Sequence, residues 1–264
     1  MIKTILTDTF SLRYPLINAP MANIARGRLA RAVSQAGGLG MIGVGSGDSA
    51  EFVAAEAQTA RGADGQSPFG IGLMAWALEG KPELLTAAIE ARPALISLSF
   101  GDLRASVARV RDAGIRVASQ VQSREDALRA AEAGVDFIVA QGTEAGGHTG
   151  QVGTLPLLQI VLDAVSLPVI VAGGIASARG VAAVLAAGAQ GAWIGTAFLA
   201  SPESETHERA RERVLRARET DTVLTSLFDR AQGLAWPSRY PGRALRNRFT
   251  ERWHGHEQEL LGDH

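Results

Sequence analysis

Arg124-Glu-Asp-Ala-Leu-Arg-Ala-Ala-Glu-Ala-Gly-Val-Asp-Phe-Ile-Val-Ala-Gln-Gly-Thr-Glu-Ala-Gly-Gly-His-Thr-Gly150 carries one complete structural unit of this chain. An alanine-rich helix pattern over 124–133 stops at Ala133-Gly134, an apolar strand follows over 135–140, and a glycine-rich loop then holds His148. Glycine ends such helices because it has no Cβ to oppose the left-handed turn of the chain. The same Ala-Gly stop ahead of a strand recurs at Ala36-Gly37, Ala113-Gly114 and Ala187-Gly188, so one unit is reused along the sequence.

Working outward, strands are expected at 16–19, 39–44, 69–74, 95–99, 116–121, 135–140, 168–172 and 191–195. Helices are expected at 27–36, 49–61, 82–91, 103–113, 124–133, 155–165, 178–187 and 203–219. Strands that alternate with helices form parallel sheets, and eight such units close most naturally as an α/β (β/α)8 TIM barrel. An open doubly wound sheet is the runner-up. Gly38-Leu-Gly-Met-Ile-Gly43 matches the dinucleotide string G-x-G-x-x-G. Its context is wrong, because the glycines start at a helix end, run through a strand, and open no helix at Gly43.

The 264 residues are 46% hydrophobic, enough for a large core. A formal net charge of -1 gives no electrostatic reason to expect nucleic acid or an anionic membrane as partner. With no cysteine there is no disulfide, thiolate metal site or cysteine nucleophile, which fits a cytoplasmic protein. The N-terminus lacks the apolar core of a signal peptide. The uncharged stretch 180–200 is mostly alanine and glycine, and 186–191 breaks it, so it reads as helix, turn and strand rather than a membrane span. From 201 to 264 arginine and glutamate become frequent and 236–247 turns irregular; no linker separates this stretch, so residues 1–264 are expected as one domain with a C-terminal helical and irregular appendage.

In barrels of this type the ligand sits at the C-terminal ends of the strands, and loops after the seventh and eighth strands often hold a phosphate. Those loops here are Ala172-Gly-Gly-Ile-Ala-Ser177 and Ile194-Gly-Thr196, both rich in unencumbered N–H groups, the first directly before a helix start that favours an anion. Gly142, Gly146, Gly147 and Gly150 would let the backbone approach a flat or anionic ligand, with His148 as the titratable ring beside it. His207 lies in a charged helix, and His254-x-His256 lacks a carboxylate pattern of known ligand spacing, so no metal is expected.

Asn18-Ala-Pro-Met21, Gly37-Gly-Leu-Gly40, Ala140-Gln-Gly-Thr-Glu-Ala-Gly-Gly-His148, Ala172-Gly-Gly-Ile175, Ile194-Gly-Thr-Ala-Phe198, Trp236-Pro and Gly242-Arg-Ala-Leu-Arg-Asn247 together resemble the nitronate monooxygenases, also called 2-nitropropane dioxygenases. The resemblance implies FMN bound in a TIM barrel, with oxidation of alkyl nitronates, or of nitroalkanes, by molecular oxygen. By matching motif, Ala19, Pro20 and Met21 would lie along the isoalloxazine ring, Gln141 and Gly146 would contact FMN, and Gly173, Gly174, Gly195 and Thr196 would hold its phosphate. His148 would take the family's active-site role. Glu144 is expected to cap the loop or a helix.

The chain departs from that family at Gly72, where many members carry asparagine, and at Trp193, where glutamine is frequent; the segment 75–92 is also short. Trp76 is a candidate lining of the mouth. These departures touch the substrate side more than the phosphate side. The rival readings are an FMN-dependent NAD(P)H enoyl-thioester reductase, whose barrel carries a similar Gly-Gly-His loop, and a flavin-binding protein without turnover. The sequence leaves homo-oligomer formation open.

Overall fold

The computed structural model describes residues 2–261 apart from 64 and 66, so the last three positions of the expected appendage lie outside it. The chain forms β1 (Leu16–Asn18), β2 (Gly40–Gly43), β3 (Phe69–Met74), β4 (Leu95–Ser99), β5 (Arg116–Val121) and β6 (Phe137–Gln141). Then come the short β7 (Gly147–His148), followed by β8 (Val169–Ala172), β9 (Gly191–Ile194), β10 (Thr222–Thr225) and β11 (Gly242–Leu245).

Eight of these make a parallel sheet in the order β1-β9-β8-β6-β5-β4-β3-β2, and a parallel bridge from Ile17 to Leu39 joins its two edges. This is the (β/α)8 barrel. Its β1–β2 seam is sewn by a side chain: buried Asn18 accepts from Met41 N–H at 2.8 Å and donates from Nδ2 to Met41 C=O at 2.9 Å. Each barrel strand is followed by its helix or, after β9, by the 3₁₀ turn Thr196–Ala200 and the helix Glu208–Arg216.

The strands alternate as a closed barrel requires. Ile17, Met41, Leu95, Phe137, Val139, Ile170 and Trp193 fill the interior, while Ile42, Ile71, Ile96, Ile138, Val171 and Ala192 pack outward on the helices. Burial of each large apolar side chain contributes about 1.5–3 kcal/mol, which sums over both layers into the main stabilising term. Sequence periodicity did not reveal the short helix Ile5–Phe10, which is held at its start by a Thr4/Thr7 capping box. Leu6 and Phe10 from this helix plug the N-terminal end of the barrel, where Ile5 N–H also reaches Gln190 Oε1.

All four Ala-Gly stops do what their residue type requires, with φ of 99° at Gly37, 75° at Gly114, 90° at Gly134 and 103° at Gly188. The glycines of the dinucleotide-like string serve packing instead. A Cβ at Gly40 would collide with the Ala30 backbone, and one at Gly43 with the backbone of Pro20 and Met21.

The C-terminal segment is more ordered than its composition suggests. The expected helix 203–219 is confined to Glu208–Arg216, and β10 and β11 then form an antiparallel sheet with β7. His148 pairs with Gly242 and Gly147 with Arg243, so the histidine loop is an edge strand of the appendage.

Candidate active site

The C-terminal ends of the barrel strands bring the sequence-predicted residues to one mouth. Ala19 N–H donates to Ile194 C=O at 2.7 Å, and a methyl added at Gly195 would stand 3.5 Å from Ala19 Cβ and 3.6 Å from Met21 Sδ. A methyl at Gly146 would stand 2.9 Å from Thr196 Oγ1, and one at Gly173 would stand 3.1 Å from both Ala145 N and Gly142 O. The segment 19–21, the loop 141–148 and the two glycine turns are therefore neighbours.

The phosphate-type turns are built from backbone. Gly173 and Gly174 have φ of 108° and 69°, in the region that glycine enters without penalty. Among the described residues the N–H groups of Gly173, Gly174, Gly195 and Thr196 find no acceptor, and the helix Ala178–Ala186 starts just beyond, capped by Ser177. Convergent free donors ahead of a helix N-terminus suit an anion.

The four loop glycines divide by what surrounds them. A Cβ at Gly142 would collide with Thr154, at the start of the helix Thr154–Ala164, and one at Gly150 would stand 2.6 Å from Gln122 Cβ. These two permit close packing. Among the described residues Gly147, at φ 71°, has no heavy atom near its missing Cβ, and Gly146 meets there only Thr196. Glu144 caps the same helix: its carboxylate accepts from Thr154 N–H at 2.9 Å and from Thr154 Oγ1 at 2.8 Å. On the adjacent strand end, buried Gln141 accepts at Oε1 from Gln122 Nε2 at 2.7 Å, leaving its own Nε2 as a donor without a partner among the described residues.

At the end of the same loop stands His148, and here the appendage supplies the surroundings. Its Nε2 lies 2.9 and 3.0 Å from the two carboxylate oxygens of Asp229, a buried residue on the helix Leu227–Gln232. Its ring stacks on Trp236 with centroids 3.4 Å apart and planes within 7°. Trp236 in turn meets Trp76 and Phe100 edge-on at 5.4 and 5.1 Å, and Phe100 meets Tyr240 at 5.2 Å. Phe100 sits at φ 65°, a backbone cost of roughly 1–3 kcal/mol for a non-glycine residue that this aromatic wall offsets. Arg243 ties the tail to the loop, donating from Nε to Thr143 C=O at 2.8 Å and from Nη1 to Thr222 Oγ1 at 3.1 Å.

Two of the three departures from the family pattern, at Gly72 and Trp193, find a physical setting. A Cβ at Gly72 would collide with the Pro20 ring, so this chain lets segment 19–21 rest directly on β3. Trp193 is buried inside the barrel, away from solvent, and its Nε1 has no hydrogen-bond partner among the described residues. Trp76 packs edge-on against Trp236 beside His148, with its buried Nε1 lacking a hydrogen-bond partner among the described residues. Asp229 and Phe100 were not found from sequence, since an isolated Asp and an isolated Phe carry no spacing signal. His254 and His256 pair with Glu257 and Glu259 on the surface.

Comparison with known proteins gives this mouth its context. The family model described as nitronate monooxygenase matches residues 3–83 and 74–261. A probable nitronate monooxygenase of Staphylococcus aureus (strain JH9) is 31% identical over 303 residues, covering 98% of this chain and 82% of that protein. Among solved structures, FabK from Thermotoga maritima is 31% identical with a TM-score of 0.86, covering 99% of this chain and 82% of its own. The nitroalkane oxidase from Streptomyces ansochromogenes is 33% identical with a TM-score of 0.81, covering 94% and 80%. Agreement of a family model, a full-length relative and a solved fold over the barrel and its tail alike means that the chain belongs to the nitronate monooxygenase family of oxidoreductases.

Proposed function

We propose that the barrel mouth binds FMN and that the enzyme oxidises alkyl nitronates, and with help from His148 neutral nitroalkanes, using molecular oxygen. The observation that carries this reading is the convergence, at one mouth, of a backbone anion site, a flat apolar floor and a histidine. Four N–H groups without acceptors fit a phosphate monoester at Gly173, Gly174, Gly195 and Thr196. Ala19, Pro20 and Met21 offer a surface for a flat ring system, Gln141 Nε2 offers a donor at its edge, and Gly146 and Gly147 keep the approach clear. Gly142 serves the same site by letting Thr154 and Glu144 brace the loop.

FMN held there supplies the electron acceptor for the substrate and the donor for oxygen. The protein's own part is to bind, orient and handle a proton. A nitronate is already a carbanion equivalent and needs only to be placed. A neutral nitroalkane must first lose its α-proton, and an imidazole with a free ring nitrogen is a suitable general base to take it. The aromatic wall of Trp76, Phe100, Trp236 and Tyr240 gives the alkyl part an apolar neighbour.

The visible spectrum of the purified protein tests the first step: a protein that carries no flavin and takes up no added FMN overturns the reading. Anaerobic mixing with a nitronate should bleach the flavin, and oxygen should restore it. A second reading, an FMN-dependent NAD(P)H enoyl-thioester reductase, is favoured by the likeness to FabK across 99% of the chain. Rapid anaerobic bleaching by NADH or NADPH, with none by a nitronate, would select it.

A further inference from the structure

We infer that Asp229 is the positioning residue of this site: it fixes the tautomer and orientation of His148 so that Nδ1 is the ring nitrogen that takes the substrate proton. The inference rests on the proposed role of His148 as the base. A carboxylate only accepts hydrogen bonds, so the two short contacts from Asp229 require that Nε2 carry a hydrogen, which leaves the lone pair on Nδ1. Nδ1 has no protein partner among the described residues.

Three separate constraints act on the one ring. The Asp229 carboxylate takes Nε2, the Trp236 face blocks rotation out of plane, and the β7–β11 pairing holds the backbone of His148 against Gly242. The Nε2–Cδ2 edge lies on the appendage side, since a methyl at Gly242 would stand 3.6 Å from Nε2 and 3.8 Å from Cδ2. The Nδ1–Cε1 edge is therefore the one turned away from the tail. None of the three constraints comes from the barrel: residues 229, 236 and 242 all belong to the appendage. A basic nitrogen is thus aimed by a segment that contributes nothing to the phosphate-type turns.

The proton balance is simple. The α C–H bond of the nitroalkane breaks, its electron pair stays on the substrate as the nitronate, and the proton joins Nδ1. The resulting imidazolium keeps Nε2–H on Asp229, so the new positive charge lies between the aspartate and the substrate anion. Release of the Nδ1 proton to solvent restores the ring.

The test is ¹⁵N NMR of protein labelled at the histidine ring, with the His148 signals assigned by their loss in His148→Gln. At alkaline pH the wild-type ring should show a protonated Nε2 and an unprotonated Nδ1; the reverse tautomer overturns the inference, whatever the substrate proves to be. Asp229→Asn can offer an N–H to Nε2, so the tautomer should shift toward Nδ1–H, and Asp229→Glu should restore Nε2–H. In the same Asn variant, kcat on a neutral nitroalkane should fall about 10²-fold, within the range that general-base assistance supplies, while nitronate oxidation and flavin content stay close to wild type. An Asn variant with an unchanged tautomer and unchanged nitroalkane kcat overturns the inference. Should Asp229→Asn fail to fold, the wild-type tautomer alone still decides. Failure of both variants and wild type to oxidise any nitro compound would instead remove the proposed function while leaving the tautomer result standing.

Discussion

The two sides of the barrel mouth are built by different means. The proposed phosphate side is main chain: Gly173-Gly174 and Gly195-Thr196, held by barrel strands β8 and β9. The histidine side is side chain: His148 clamped by Asp229 and Trp236, both from the appended segment. A backbone site costs its sequence only glycines at fixed positions, and its geometry is rigid because it inherits the sheet. A side-chain clamp needs contacts between residues 81 apart in sequence, and it can change independently of the fold. On the proposed function, the first side should set what is bound and the second what is done with it.

The sharpest way to separate the two is His148→Ala. Neutral nitroalkane oxidation should fall by roughly 10²- to 10⁴-fold if the lost term is general-base catalysis, with much smaller loss on the nitronate and normal flavin content. Steady-state kinetics on both substrate forms decides it. Equal losses on the two would reassign His148 to anion binding or ring positioning.

The complementary break is Gly173→Ala. Its φ of 108° is strained for any L side chain, and the added methyl would lie 2.8 Å from Thr154 Oγ1. A strain of about 1–3 kcal/mol, carried by the segment that would hold the phosphate, should weaken FMN binding by roughly 5- to 150-fold. Titration of the apoprotein with FMN measures this. The His148 tautomer should be untouched, and a lost clamp in that variant would show the two sides to be coupled after all.

Gly72→Asn introduces the residue that the family resemblance suggested there and tests how closely segment 19–21 depends on the glycine. The new side chain must displace the Pro20 ring, an overpacking cost of about 1–3 kcal/mol expected as a lowered Tm. Unchanged stability would mean that Pro20 has room to retreat and that the departure at Gly72 is readily reversed.

The same division explains what the sequence discloses. The eight barrel strands and the first seven expected helices fall within a residue or two of their expected bounds, because alternation, helical periodicity and the Ala-Gly stop are all local, whereas the last helix, expected at 203–219, is confined to Glu208–Arg216. The phosphate-type turns were legible for the same reason, as glycines at strand ends. The helix Ile5–Phe10 was missed because six residues are too few for a periodic pattern. In the tail, β10 and β11 looked like charged or irregular chain, since each is short and neither becomes a strand until it meets its partner. Asp229 was invisible because its function comes from where the tail folds back, and nothing around it in sequence marks that return.

Tyr240 gives the mildest probe of the same tail. It is buried at the end of the aromatic wall, and burial chiefly raises its phenol above the ordinary range, with the Asp126 carboxylate adding to the effect and Arg239 and Arg129 opposing it. The folded chain thus holds the neutral phenol more tightly than the unfolded chain does. The stabilising contribution is whole below about pH 10, where an unfolded tyrosine begins to ionise, and it is lost as pH rises through the higher folded value. Phenolate absorbance, taken as wild type minus Tyr240→Phe, should therefore develop at a higher pH than that of a free tyrosine. Chemical denaturation should show the Phe variant losing less stability than wild type over that alkaline window. A Tyr240 that ionises as freely as a solvent-exposed phenol would mean that the aromatic wall opens in solution, and with it the stack of Trp236 on His148, while the Gly173-Gly174 and Gly195-Thr196 turns, held by the barrel strands, stay in place.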